Sequence, residues 1–152
     1  MTIKITCYLL VGLPASGKST LSKQLAKDKN ALVLSTDTIR KNLYGSETIQ
    51  GNWQQIEASL HAQILESISK GQSVIVDATH TVRDHRKVLL NLSDRISWEC
   101  IYLKTDIKTC YKRNLKRSRT VPSNVIDSMH QNLLDQPPKL SEGFQNLQIC
   151  EA

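Results

Sequence analysis

The sequence predicts an α/β domain with a mainly parallel central sheet flanked by helices. Three observations carry that prediction. Short apolar runs of strand length alternate with segments of helical periodicity along the chain. The first apolar run is nearly continuous rather than alternating, as in a parallel strand covered on both faces. The chain has 152 residues, 39% hydrophobic and 22% charged, which suits one sizeable core and excludes a disordered chain.

Ile3 to Val11 is the first strand. A helix follows over Lys18 to Lys27, with Leu21, Leu25 and Ala26 on one face. Ala31 to Ser35 is a second short strand, and Asp37 to Leu43 a short helix ended by Gly45. Trp53 to Lys70 reads as a longer helix, with Ile56, Leu60, Ile64, Leu65 and Ile68 at helical spacing and Gly71 as its stop. Ser73 to Val76 is the third strand, Val82 to Leu92 a helix, and Ile96 to Leu103 the fourth strand. Thr105 can cap a basic helix whose apolar side is Ile107, Cys110, Tyr111 and Leu115. Val121-Pro122-Ser123 breaks that helix, Val125 to Leu134 forms another, and Gln145 to Cys150 is the last strand.

Composition narrows the setting. No apolar run approaches the roughly 20 residues that cross a bilayer, and Met1 to Thr6 lacks the apolar core of a signal peptide. Cys7, Cys100, Cys110 and Cys150 form no C-x-x-C pair, which argues against zinc. Three lie in strand-like runs as small hydrophobes, and all four read as reduced thiols. A cytoplasmic protein without a membrane partner is expected. The net charge of +6 is local. Lys104, Lys108, Lys112, Arg113, Lys116, Arg117 and Arg119 stand against Asp106 alone and equal the whole excess. An anion meeting that segment and a solvated helix face are both open readings.

Gly12-Leu13-Pro14-Ala15-Ser16-Gly17-Lys18-Ser19 fits G-x-x-x-x-G-K-[S/T], between a strand and a helix as that motif requires. Its glycines let backbone N–H groups curl around phosphate oxygens at a helix N-terminus. Gly12, Pro14, Ala15, Ser16, Gly17, Lys18, Ser19 and Thr20 are therefore candidates to bind ATP. Lys18 can reach the β and γ phosphates, and Ser19 can ligate Mg²⁺.

Two aspartates close predicted strands, where ligands bind in open α/β sheets: Asp37 and Asp77. One can act as general base toward a hydroxyl and the other can organise Mg²⁺. Each could instead be a helix N-cap. Arg40 shares a helix face with Asp37 and suits a bidentate phosphate contact. Arg113 and Arg117, spaced i, i+4, project from one face and can grip the triphosphate, with Arg119 following. His61, His80, His85 and His130 show no metal spacing, though His80 follows Asp77 closely at the predicted cleft. Trp53 and Tyr44 could stack a nucleobase but read more readily as partly buried aromatics.

Together these segments resemble the polynucleotide 5′-hydroxyl kinases of phage and bacterial nucleic-acid repair, whose kinase domain is a phosphate-loop, AAA-like ATP-binding domain. The likeness runs through Ser35-Thr36-Asp37-Thr38-Ile39-Arg40, Val76-Asp77-Ala78-Thr79-His80 and Lys112-Arg113-Asn114-Leu115-Lys116-Arg117. It continues through Val121 to Ile126 and ends at Pro138 to Phe144. The resemblance implies a single kinase domain over 1–152, with a lid at about 104–135. Asp37 would take the proton from a 5′-hydroxyl, and Arg40 would hold the phosphate on the 3′ side. Lys18 and Ser19 would bind ATP and Mg²⁺. Arg113 and Arg117 would close over the triphosphate, with Arg119 or Lys116 assisting. Asp77 and Thr79 would line the cleft near metal and acceptor, with His80 where many members have Asn. The partner implied is a nucleic-acid 5′ end. A kinase of the same layout acting on a small alcohol, and a nucleotide-binding switch, are the other readings.

Overall fold

In the computed structural model, which describes residues 3–46, 49–117 and 120–151, the chain is a five-stranded parallel sheet flanked by helices. The strands are β1 (Ile5–Gly12), β2 (Leu32–Ser35), β3 (Val74–Asp77), β4 (Ile96–Lys104) and β5 (Asn146–Glu151). Their order across the sheet is β2-β3-β1-β4-β5, and every pairing is parallel. The helices are α1 (Lys18–Lys29), α2 (Thr36–Tyr44), α3 (Trp53–Ser69), α4 (Arg83–Leu90), α5 (Ile107–Asn114) and α6 (Ser123–Asp135).

Strand alternation sorts the core into two layers. Cys7, Leu9 and Val11 of β1 face one side, with Val74, Val76, Trp98 and Cys100 beside them. That layer packs on Ile56, Leu60, Ile64 and Ile68 of α3, whereas Leu65, expected on the same face, is exposed because it turns about 100° from Ile64. Tyr8 and Leu10 face the other side with Ile75, Ile101 and Leu103, under Leu21, Leu25 and Ala26 of α1. Because β1 is central and covered on both faces, its sequence shows no polar alternation.

Local chemistry moved several boundaries. Ile3 is 85% exposed and lies ahead of β1, so the apolar run overstates the strand by two residues. Asp106, not Thr105, caps α5: its carboxylate accepts from Thr109 N at 3.4 Å. Leu115 is 78% exposed rather than on an apolar face, because α5 ends at Asn114. Asn114 is buried instead, and its side-chain amide makes paired bonds to Val121, 2.7 Å to the carbonyl and 2.9 Å from the N–H. No helix among the described residues is long and apolar enough to cross a membrane. Cys7, Cys100, Cys110 and Cys150 all carry free thiols.

Candidate active site

The glycine-rich turn occupies residues 13–17, between the end of β1 and the start of α1. Ala15 (φ 62°) and Gly17 (φ 107°) adopt left-handed backbone, which turns N–H groups toward one concavity. No side chain caps α1, so its first-turn N–H groups open onto that same concavity. Gly12 is required for space: a Cβ there would sit 2.8 Å from Ser16 Oγ and 3.0 Å from the Leu103 carbonyl. Thr105 Oγ1 donates to the Ser16 carbonyl at 2.8 Å and ties the turn to the end of β4.

Lys18 spans the turn from within. Its Nζ donates to the carbonyls of Leu13 (2.7 Å) and Gly12 (3.0 Å) and to Ser16 Oγ (3.3 Å). Burial lowers its pKa to about 8, while the neighbouring Asp77 carboxylate pulls it back upward. Asp77 ends β3 and pairs in register with Leu10 of β1, which sets it beside the turn. Ser19 Oγ donates to Asp77 Oδ2 at 3.1 Å, and Ser22 Oγ reaches the same oxygen at 3.5 Å.

These residues fit a magnesium ion. The described residues hold no group of three or more His, Cys, Asp or Glu able to bind a metal by themselves. Magnesium, however, is commonly held by one or two protein oxygens plus phosphates and water. Ser19 and Asp77 supply such a pair next to the phosphate-binding turn.

Asp37 lies across the cleft. Ser35 caps α2 by accepting from Asp37 N at 3.2 Å, so Asp37 sits in the first turn with its carboxylate released from capping. Register places Ser35 opposite Asp77, which brings the Asp77 carboxylate at the end of β3 and the Asp37 carboxylate at the start of α2 to one rim. Arg40 Nη1 contacts Asp37 Oδ1 at 3.1 Å, as the three-residue spacing predicts. Arg117 Nη2 approaches Asp37 Oδ2 at 3.6 Å. A second Arg117 nitrogen, Nη1, is buried without a hydrogen-bond partner among the described residues and is a donor suited to a phosphate oxygen. The Arg113 guanidinium lies beside Gly17, with Nη1 3.8 Å from where a Cβ would stand.

One cleft of about 650 Å³ joins these groups. Its walls include the turn from Pro14 to Thr20 together with Asp37, Arg40, Asp77, Thr79, Arg113 and Arg117. That volume is within the range of small-molecule sites. Gly12 contributes its carbonyl to Lys18 rather than a surface to the cleft. Lys116 is exposed and outside the cleft, and Arg119 lies outside the described residues.

His80 does not face the cleft. Its backbone takes φ 43°, and its ring is buried edge-on against Trp53 at 5.9 Å. Burial drives its pKa down to about 3, helped by the nearby His85, so it is neutral at ordinary pH. Trp53 does border the cleft and stacks on His85 at 4.8 Å. Tyr44 packs on the core and bonds Gln55 and Asn52 instead.

Sequence reasoning missed Arg86, which is fully buried. Its guanidinium bonds Glu142 at 2.8 and 3.2 Å, the His80 carbonyl at 3.0 Å and the Gln136 carbonyl at 2.7 Å. It therefore joins the segment after β3 to the segment before β5. Val121, Met129, Gln24 and Gln50 also line the cleft without a motif to announce them.

A family model described as an AAA domain matches residues 8–137. The L-seryl-tRNA(Sec) kinase of Methanococcus maripaludis is 34% identical over 131 residues, 81% of this chain and 50% of that protein. The bifunctional polynucleotide phosphatase/kinase of Schizosaccharomyces pombe is 23% identical over 147 residues, 92% of this chain and 32% of that protein. The chain thus spans half or less of the curated relatives it matches. Among solved structures, a chain of the Pnkp1/Rnl/Hen1 RNA repair complex shares the fold, with a TM-score of 0.76 at 18% identity. That match covers 89% of this chain and 46% of the other.

Proposed function

The chain belongs to the AAA domain family, and within it we propose a kinase that transfers the γ-phosphate of ATP to the 5′-hydroxyl of a polynucleotide. The observation that carries the reading is the placement of Asp37. Its carboxylate opens onto the same cleft as the phosphate-binding turn, fixed by Arg40 and reached by Arg117. A nucleotide switch has no need of a carboxylate set to accept a proton from an alcohol.

In this reading the turn from Pro14 to Thr20, Lys18 included, holds the ATP phosphates, with Gly12 leaving room for the turn to close. Asp37 accepts the hydroxyl proton as the acceptor oxygen bonds to the γ-phosphorus. The bond from that phosphorus to the β–γ bridging oxygen breaks, and ADP leaves with its electron pair. Magnesium, when bound by Ser19 and Asp77, neutralises charge on the phosphates. Segment 104–135 acts as a lid of a single domain, with Arg113 and Arg117 stabilising transition-state charge. Arg40 holds the phosphate on the 3′ side of the acceptor, and Thr79 borders that site. Cytoplasmic location fits the free thiols.

The 34% identity to a kinase named for seryl-tRNA favours a second acceptor, the hydroxyl of a seryl group on tRNA. Label transfer from γ-labelled ATP to 5′-hydroxyl oligonucleotides, seryl-tRNA, and nucleosides with and without a 3′ phosphate separates the readings. The first requires labelled oligonucleotide, a gain from the 3′ phosphate, and loss of that gain in Arg40→Ala. Labelled seryl-tRNA alone, or labelled nucleoside indifferent to the 3′ phosphate, would displace it.

A further inference from the structure

The basic segment has two sides with different surroundings. Arg113 and Arg117 border the cleft. Lys108, Lys112 and Lys116 are all exposed, none borders the cleft, and none pairs with a carboxylate among the described residues. Lys108 and Lys112 stand four residues apart on α5, about 6 Å apart along its axis, and Lys116 follows two residues past its end. At about 100° per residue, Lys112 and Lys108 are turned about 100° and 140° from Arg113, onto the solvent side of the helix that borders the cleft. Lys104 stands apart, opposite Glu151 in the β4–β5 register.

Local energetics oppose this row. Lys108 sits in the first turn of α5, where the helix dipole disfavours a cation by about 0.3–1 kcal/mol. Like charges four residues apart add repulsion. The nearest acidic neighbour in sequence, Asp106, turns its carboxylate to the helix cap. An anionic partner outside the protein offsets all three effects.

Resting on the function proposed above, we infer that Lys108, Lys112 and Lys116 form a second contact for the acceptor, gripping the phosphodiester backbone of a nucleic acid whose 5′ end lies in the cleft. The three cations are exposed, lack carboxylate partners among the described residues and lie on the segment that carries Arg113 and Arg117 into the cleft, which suits a phosphate chain leaving it. Ammonium groups are point charges and would position that backbone without reading bases.

The test is equilibrium binding, without ATP, of a 5′-hydroxyl RNA hairpin with a single-stranded leader across a salt series. The Lys108→Gln/Lys112→Gln variant is compared with the unsubstituted protein. Two lost phosphate contacts would make the slope of log affinity against log salt shallower by about 1.5. ATP affinity and transfer to a 5′-hydroxyl dinucleotide, too short to reach the row, would be unchanged. An unchanged hairpin slope overturns the inference, as does equal loss toward dinucleotide and hairpin. Lysine-dependent binding to phosphatidylserine vesicles with no change toward the hairpin overturns it in favour of a membrane. Because the binding assay needs no phosphate transfer, the two proposals fail separately. A lysine-dependent slope in a protein that labels no polynucleotide supports the contact and refutes the acceptor assignment.

Discussion

Replacing Arg86 by Met should destabilise the protein more than any surface change. The guanidinium is 0% exposed and makes four hydrogen bonds, and its partner Glu142 has a side chain only 8% exposed. Met fills similar space but leaves the His80 and Gln136 carbonyls without this donor, and leaves Glu142 with only the Lys139 N–H at 2.8 Å and Arg83 at 3.9 Å. Breaking a buried pair in this way costs about 3–5 kcal/mol, a large share of the roughly 5–15 kcal/mol typical of a domain. With a urea slope of about 2 kcal/mol per molar, the unfolding midpoint falls by about 2 M. The assay is urea unfolding followed by far-UV circular dichroism, with the slope held as a check on two-state behaviour. The double variant Arg86→Met/Glu142→Gln removes the charge but keeps an acceptor for the Lys139 N–H, and should recover part of the loss, since the two carbonyls stay unpaired. A loss below about 1 kcal/mol in Arg86→Met, or a double variant weaker than the single, would refute the claim that this pair locks the segment after β3 to the one before β5.

Three further outcomes are expected, two at the site and one in the core. Gly12→Ala should weaken ATP binding by at least about tenfold in calorimetry, because its Cβ would press on Ser16 Oγ and the Leu103 carbonyl. ATP affinity should fall as pH rises through about 8, by up to about tenfold per unit. The sign follows from Lys18: bound phosphates favour its charged form, so binding takes up a proton once free Lys18 begins to lose it. Calorimetry in buffers of different ionisation enthalpy would detect that proton. Stability should fall as pH drops below 6.5 toward about 3, since the unfolded chain protonates His80 and the folded one does not. That amounts to about 2 kcal/mol at pH 5, and His80→Asn, which tolerates the left-handed backbone, should flatten this limb of the denaturation profile.

What the sequence made legible was local. A strand covered on both faces is a continuous apolar run, and β1 could be read from Cys7 to Val11 directly. The glycine-rich turn is one contiguous motif, so its place between β1 and α1 follows from the sequence. Asp37 and Arg40 share a helix face at three residues' separation, and the 3.1 Å contact follows from that. Long-range or conformational features were not legible. Arg86 and Glu142 are 56 residues apart and meet only through the tertiary fold. His80 was expected beside the cleft on proximity to Asp77, but its ring lies in the core beside Trp53 and its backbone departs from the extended course of β3. Thr105 and Asp106 are both cap-type residues, and the choice between them depended on Ser16 engaging the threonine hydroxyl.

The most direct test of the account is Asp37→Asn, assayed for phosphate transfer to the best acceptor found while ATP affinity is measured in parallel. The account predicts a fall in kcat of about 10²–10⁴, the usual contribution of a general base, with ATP affinity held within about threefold. Transfer within about threefold of the unsubstituted rate would contradict it, because some other group would then be taking the acceptor's proton.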